Sequence, residues 1–434
     1  MRILQLVPRA LLQVWLLMAL PFSGIAASLP EVVERVLQQH PDIRSSQALL
    51  NASSERIIQA RSNYYPIVGL ESVAADASDI QFGQPLERTT RRNEIFVRWN
   101  LFRGMADWQS VSVAQREREA SIADLGESHE RVALQVSQIY IEVLRLRGLL
   151  ALGDAYLVEH RRLNEEIGIR AKLGKIPVAD VEYSRNSLIQ AELQQSQMRG
   201  ELAGVEQFFR LLVGTEPDQL IEPVMAFVLD SVSQEQLLEQ MLTGNRLIRA
   251  AQQRAVARGN EVGVAAAGLY PSLDLEVRQT LSSQIDPAPV TETDRATQFQ
   301  LRYQLPLGGG SYSRKREAVQ RKLAAQAAVD TELIRLQSEV TRLWSSWNEL
   351  RVVAPRLEEW VEASYAVVNA YDLQFSAARR TLIDLISARG EHYRAQVGRL
   401  NNRLDQSVAN IQILSMLGQL RQSLLEPYTA YPAE

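Results

Sequence analysis

The chain has 434 residues, 46% of them hydrophobic and 23% charged, with a formal net charge of −4 and no cysteine. That balance supports a large buried core, argues against disorder, and leaves no basic footprint for nucleic acid. The lack of cysteine removes disulfides, thiol nucleophiles, cysteine-based metal sites and a lipidated N-terminal cysteine.

The first element is an address. Arg2 and Arg9 precede an apolar run from Ala10 to Phe22, and the small residues of SGIAAS place a cleavage site near Ala27. About 13 apolar residues fall short of the roughly 20 that a spanning helix needs. Residues 1–27 therefore read as a signal peptide for secretion, and their removal changes the net charge to −4 − 2 = −6. No later segment is apolar enough over its length to cross a bilayer as a helix, so any membrane entry has to use strands.

Next comes a helical pattern that ends at Tyr65, followed by a strand over 66–74, a polar loop and a second strand over 95–102. In that second strand Ile95, Val97, Trp99 and Leu101 share an outward face, with Phe96 out of pattern. From Ala106 to Lys172 apolar residues recur at three-four spacing, as in Val136, Ile139, Val143, Leu146 and Leu150, which is a coiled-coil seam. A helix over that span is about 100 Å long. The tight turn KLGKIP then sends a returning helix back along it.

The same order follows again, with strands expected over 271–280 and 298–306 and a long helix from about Ser313 to Ser376. Pro355 is expected to kink or break that helix. The repetition is visible in the residues themselves. Segment 40–71 lies over 245–276 at an offset of 245 − 40 = 205, with identities that include Ile43/Ile248, Arg44/Arg249, Tyr65/Tyr270, Pro66/Pro271 and Glu71/Glu276. At an offset of 204, VRWNL from Val97 meets LRYQL from Leu301, and GKIPVADV from Gly174 meets ARRTLIDL from Ala378. The chain is read as two tandem copies, 28–223 and 224–434. Each copy carries two strands about as long as a transmembrane β-strand, with apolar and aromatic residues on one face. Four strands cannot close a membrane barrel, so several copies have to share one.

These features together resemble the TolC family of bacterial outer-membrane channel-tunnels, the outer membrane factors of type I secretion and drug efflux. The residues that carry the resemblance are HPDIRSSQALLNASSERIIQARSNYYP from His40, NLFRG before the first long helix, LPLGGG before the second, and RRTLIDLISARGEHYRAQ after the second turn. The resemblance implies a fold of mixed α and membrane β: a homotrimer with a shared twelve-stranded transmembrane β-barrel, continued by a long periplasmic α-helical coiled-coil barrel. It further implies an outer-membrane exit duct in a Gram-negative bacterium that works with a periplasmic adaptor, the membrane fusion protein, and an inner-membrane ABC or proton-driven transporter. The partners expected are those two proteins, the other subunits of the trimer and outer-membrane lipid. In the family, acidic residues of the returning helix narrow the periplasmic entrance. That position falls on Asp384, with Asp180 at the matching place in the first copy, and Arg380 matches an arginine that ties neighbouring coils together. Ser387 stands where a second acidic ring would be, and Phe375 lacks the hydroxyl that its position would need for a hydrogen bond. The adaptor-docking tip is expected at Gly174, Lys175, Ile176 and Pro177 in the first turn and at Arg379 and Thr381 in the second. An acid in the first turn of a helix after Pro177 or Thr381 also satisfies the helix dipole and its cap with no pore role at all.

Nothing else in the sequence assembles chemistry. His40, His129, His160 and His392 form no metal spacing and are expected at surfaces or seams, and LGGGSYSRK (307–315) lacks the order of a phosphate loop. No enzyme, cofactor or metal is expected. The competing reading is a periplasmic coiled-coil adaptor or structural protein without a barrel, which accounts for the helices and the signal but not for the strand pairs.

Overall fold

The computed structural model describes residues 28–81, 84–174, 176–223, 232–286, 295–304 and 307–425. The signal segment 1–27, Lys175 and the last residues of the strand expected to 306 lie outside them. The first copy runs α1 (Leu29–Gln39), α2 (Pro41–Ser62), β1 (Ile67–Gln81), β2 (Gln84–Arg103), α3 (Ala106–Lys172) and α4 (Val178–Val213). The second runs α5 (Gln234–Gly244), α6 (Arg246–Ala267), β3 (Ser272–Asp286), β4 (Arg295–Arg302), α7 (Gly310–Ser376), α8 (Leu382–Met416) and α9 (Leu420–Leu425). Both α3 and α7 are 67 residues long.

Each long helix is held by a seam. Along α3 the buried positions Val132, Val136, Tyr140, Val143 and Leu146, and then Gly153, Leu157, His160, Leu163 and Ile167, step by three or four with one gap of seven between the runs, so one stripe faces the helices packed on it. The long helix α3 packs on α4 and α8 and also on α2 and α6, the last two towards its N-terminal half. Midway, Leu29, Val32 and Val33 of α1 join Phe209 of α4, Leu404 and Ile411 of α8 and Leu420 of α9 around Tyr140 in one core. The Tyr140 hydroxyl donates to the Ile221 carbonyl at 2.7 Å and accepts from the Ile221 N–H at 2.9 Å, which pins the chain after α4 to the middle of α3.

The expected break at Pro355 does not occur: α7 is helical through it. Proline removes one N–H and crowds the carbonyl four residues earlier. Here α8 braces the adjoining turn, with Asn402 Nδ2 and Gln406 Nε2 both donating to the Leu350 carbonyl at 3.0 and 3.3 Å.

The strands form one antiparallel sheet in the order β1-β2-β3-β4. The β1–β2 ladder runs from Ile67↔Arg98 to Gln81↔Gln84, so the polar stretch 75–94 expected as loop is mostly strand. Such a ladder is held by its backbone pairs, which a polar sequence does not prevent. Phe96 is inverted for a local reason. Its ring lies over Gly69, where an added Cβ would come within 2.4 Å of it, and the guanidiniums of Arg98 and Arg278 sit 5.2 and 5.7 Å from its centre. The face with Phe96 is otherwise charged: Arg98 Nε donates to Glu276 at 2.8 Å, and Arg278 reaches Glu71 at 2.8 Å and also Glu94. On the other face Leu70, Phe299, Leu301 and Tyr303 are exposed.

Both turns need a left-handed residue. Gly174 has φ 70°, and Ala378, aligned with it in the second copy, has φ 58°. A side chain in that region costs about 1–2 kcal/mol relative to glycine. Ala378→Gly is therefore expected to stabilise the protein by about 1 kcal/mol. The measurement is the thermal unfolding midpoint, and an unchanged or lower midpoint contradicts the assignment.

Candidate functional site

The α3–α4 and α7–α8 hairpins end in two short turns, where a small apolar core joins them. Leu163 and Ile167 of α3 pack with Phe375 of α7 and with Leu382, Leu385 and Ile386 of α8, and Ile176 of the first turn packs against this group. Phe375 lacks a hydroxyl and is buried, with the Arg170 guanidinium 5.0 Å over its ring. A cation–π contact between hairpins thus takes the place of a hydroxyl hydrogen bond at this position.

Thr381 is the N-cap of α8 and forms a capping box with Asp384. The Asp384 N–H donates to Thr381 Oγ1 at 3.2 Å, and Asp384 Oδ2 accepts from the Thr381 hydroxyl at 2.8 Å and its N–H at 3.4 Å. Arg380 Nη1 is 3.7 Å from the same oxygen, while its Nε donates to Gln374 at 3.1 Å and its guanidinium lies 4.1 Å over the Tyr371 ring. Asp384, Arg380 and Thr381 therefore come together, but every one of these contacts stays within the α7–α8 hairpin. In the first copy Pro177 is the N-cap of α4, and Asp180 lies in the first helical turn, its N–H donating to the Pro177 carbonyl at 3.1 Å. Gly174, Pro177 and Arg379 are exposed at the turns.

Above the tip lie polar groups that spacing did not reveal. His160 of α3 is buried, with Nδ1 3.2 Å from Ser187 Oγ of α4. In the other hairpin Ser364 of α7 is 3.0 Å from His392 Nδ1 of α8, so the same kind of pair recurs with its members exchanged. Burial, with a smaller contribution from Arg389, pushes His160 down from 6.5 to about 4. A histidine that protonates less readily folded than unfolded stabilises the fold fully above 6.5, and this is lost as pH falls towards 4. The loss amounts to about 3 kcal/mol at most. His160→Gln is expected to flatten the fall in thermal midpoint across that interval, and an equal fall in both proteins contradicts the burial argument.

Known proteins share this architecture. The profile of the outer membrane efflux protein family matches residues 32–215 and, separately, 237–419. The outer membrane efflux protein BepC of Brucella suis is 22% identical over 412 residues, covering 92% of this chain and 87% of its own. The outer membrane protein TolC of Escherichia coli is 22% identical over 432 residues, covering 94% and 86%. Among solved structures, the outer membrane protein VceC of Vibrio cholerae superposes with a TM-score of 0.78 at 18% identity, over 90% of this chain and 96% of VceC. The outer-membrane channel OprN gives a TM-score of 0.78 at 18% identity, over 91% and 90%. One profile matched twice, once on α1–α4 and once on α5–α8, places the chain in the outer membrane efflux protein family, as a TolC-type outer-membrane channel protein and not an enzyme.

Proposed function

We propose that three copies of the chain close one barrel and one helical tunnel, and that the assembly is the outer-membrane exit duct of an export system. The observation that carries this reading is an internal asymmetry. In the second copy α6 packs between α3 and α7, whereas its counterpart α2 packs along α3 and leaves Leu49 and Ile58 exposed on its surface. The missing neighbour of α2 has the character of an α7, and a second chain supplies one. The sheet argues likewise, since β1 and β4 are its edges and each needs a partner strand. With four strands to a chain, three chains give the twelve strands of a closed barrel. A soluble coiled-coil adaptor has no use for an exposed apolar sheet face.

The turns at Gly174 to Pro177 and at Arg379 to Thr381, with Lys175 among them, are the docking end for a periplasmic adaptor, and through it for an inner-membrane ABC or proton-driven transporter. They lie at the far end of helices about 100 Å long, and exposed Leu173, Val178 and Leu373 beside them give a partner apolar surface. The cargo is protein or small molecule, by type I secretion or multidrug efflux. Because the natural chain has no cysteine, single Ile176→Cys and Arg379→Cys variants carry a crosslinker at one place only. Both are expected to capture an adaptor in whole cells. Capture only from a cysteine in the segment 75–94 would contradict the orientation.

A further inference from the structure

We propose that Arg389 is the clamp that holds the two helical hairpins of each chain together in the closed duct; this rests on the duct reading above. Arg389 lies on α8, two turns beyond the cap at Thr381, and is only 8% exposed. Its Nη2 donates to Asp372 of α7 at 3.0 Å, within its own hairpin. Its Nη1 donates to the backbone carbonyl of Glu159 on α3 at 3.2 Å and lies 3.5 Å from the Glu159 carboxylate, across the seam to the other hairpin. One guanidinium thus ties three helices. A planar fork with several fixed donors can do this, while an ammonium on a flexible stem reaches one partner at a time.

The surroundings point to the same seam. One turn further along α8, Tyr393 stacks on Tyr156 of α3 with ring centres 4.6 Å apart. Arg380 differs: its contacts to Gln374, Tyr371 and Asp384 all lie in the α7–α8 hairpin, so within one chain it holds the tip but not the two hairpins. The repeat shows that the clamp is not a general feature of the fold. At the offset of 204, Arg389 corresponds to position 389 − 204 = 185, where Arg185 is exposed, and Glu159 to 159 + 204 = 363, which is Ala363. Among the described residues the aligned positions 185 and 363 do not repeat the device, which sits on the seam between the chain's own hairpins.

Removal of Arg389 has two effects of the same sign. The tie is lost, and Glu159 and Asp372, each half exposed, are left as like charges on opposite sides of the seam. Separation of the hairpins then widens the tunnel where it narrows.

The test is single-channel conductance of purified trimers in planar bilayers, with unfolding midpoints measured in parallel. Arg389→Gln is expected to raise the resting conductance severalfold, and Arg389→Lys to raise it less. Arg389→Glu combined with Glu159→Arg and Asp372→Asn restores a charge pair across the seam without leaving a like charge beside position 389, and is expected to bring conductance back towards the natural level. A merely structural role would lower the midpoint without this rescue. Unchanged conductance in folded Arg389→Gln trimers, or a rise that the exchange leaves untouched, overturns the proposal. Should Arg389→Gln fail to fold, Arg389→Lys decides: an ammonium cannot hold Asp372 and the Glu159 carbonyl at once, so conductance must still rise, and an unchanged value overturns the clamp. Natural trimers that pass no current would count against the duct itself and not against the clamp.

Discussion

Trp347→Ala is expected to destabilise the assembly by about 3–5 kcal/mol, the range for truncating a buried aromatic to alanine. Trp347 is 2% exposed and sits at the centre of a core that joins four helices: Leu237 and Met241 of α5, Ile248 of α6, Val340 and Leu343 of α7, and Ala409 and Ile413 of α8. Trp344 lies against it at 5.6 Å between ring centres, and the Arg351 guanidinium covers its other side at 5.0 Å. Long coiled hairpins cannot collapse inward to refill such a space, so most of the cavity persists. The effect should be local as well as global, because α5 packs on α7 chiefly through this core. Thermal unfolding of the detergent-solubilised protein measures the first, and protease cutting between the two copies, around α5, reports the second. A loss below about 1 kcal/mol would mean that the site relaxes as a surface does.

The second large effect concerns ions. In the proposed duct, three copies of Asp384 around the axis would gather negative charge, and opposing walls would focus the field more strongly than an open surface does. The capping box leaves the Asp384 side chain 39% exposed and holds its Oδ2 towards Thr381 and Arg380. The acid thus serves its own helix, which accounts for about 1 kcal/mol of local stability, and as a pore charge it would keep that same fixed orientation. Asp384→Asn is expected to weaken cation preference and block by multivalent cations, with a loss of stability of no more than about 1 kcal/mol. Arg380→Ser removes the contacts to Tyr371 and Gln374 at the tip and is expected to raise conductance. A lower midpoint with unchanged selectivity in Asp384→Asn would restrict the acid to capping.

What the sequence revealed and what it hid follow from the range of the interactions. The extent of α3, the two turns and the pairing of Gly174 with Ala378 are periodic or local features, and a copy 204 residues away repeats them. The box of Thr381 and Asp384 is likewise three residues wide and legible as a pattern. The extension of β1 and β2 was hidden because residues 75–94 are mostly polar, and 87–94 polar at successive positions, so no sustained alternation marks a strand there. Pro355 misled because its neighbouring turn is braced from α8, more than 50 residues on. Arg389 could not be read at all. Its partners stand 17 and 230 residues away, and neither distance has a signature in a single sequence. The Arg170–Phe375 contact is hidden for the same reason.

The central claim, that the chain is one third of an outer-membrane duct, is tested most directly by reconstituting the purified mature protein in planar bilayers. The expected result is stepwise, cation-preferring current, with each step the insertion of one complex whose mass is that of three chains. Protein that inserts into the bilayer as a folded complex and passes no current, or that is recovered as a soluble monomer, would contradict it.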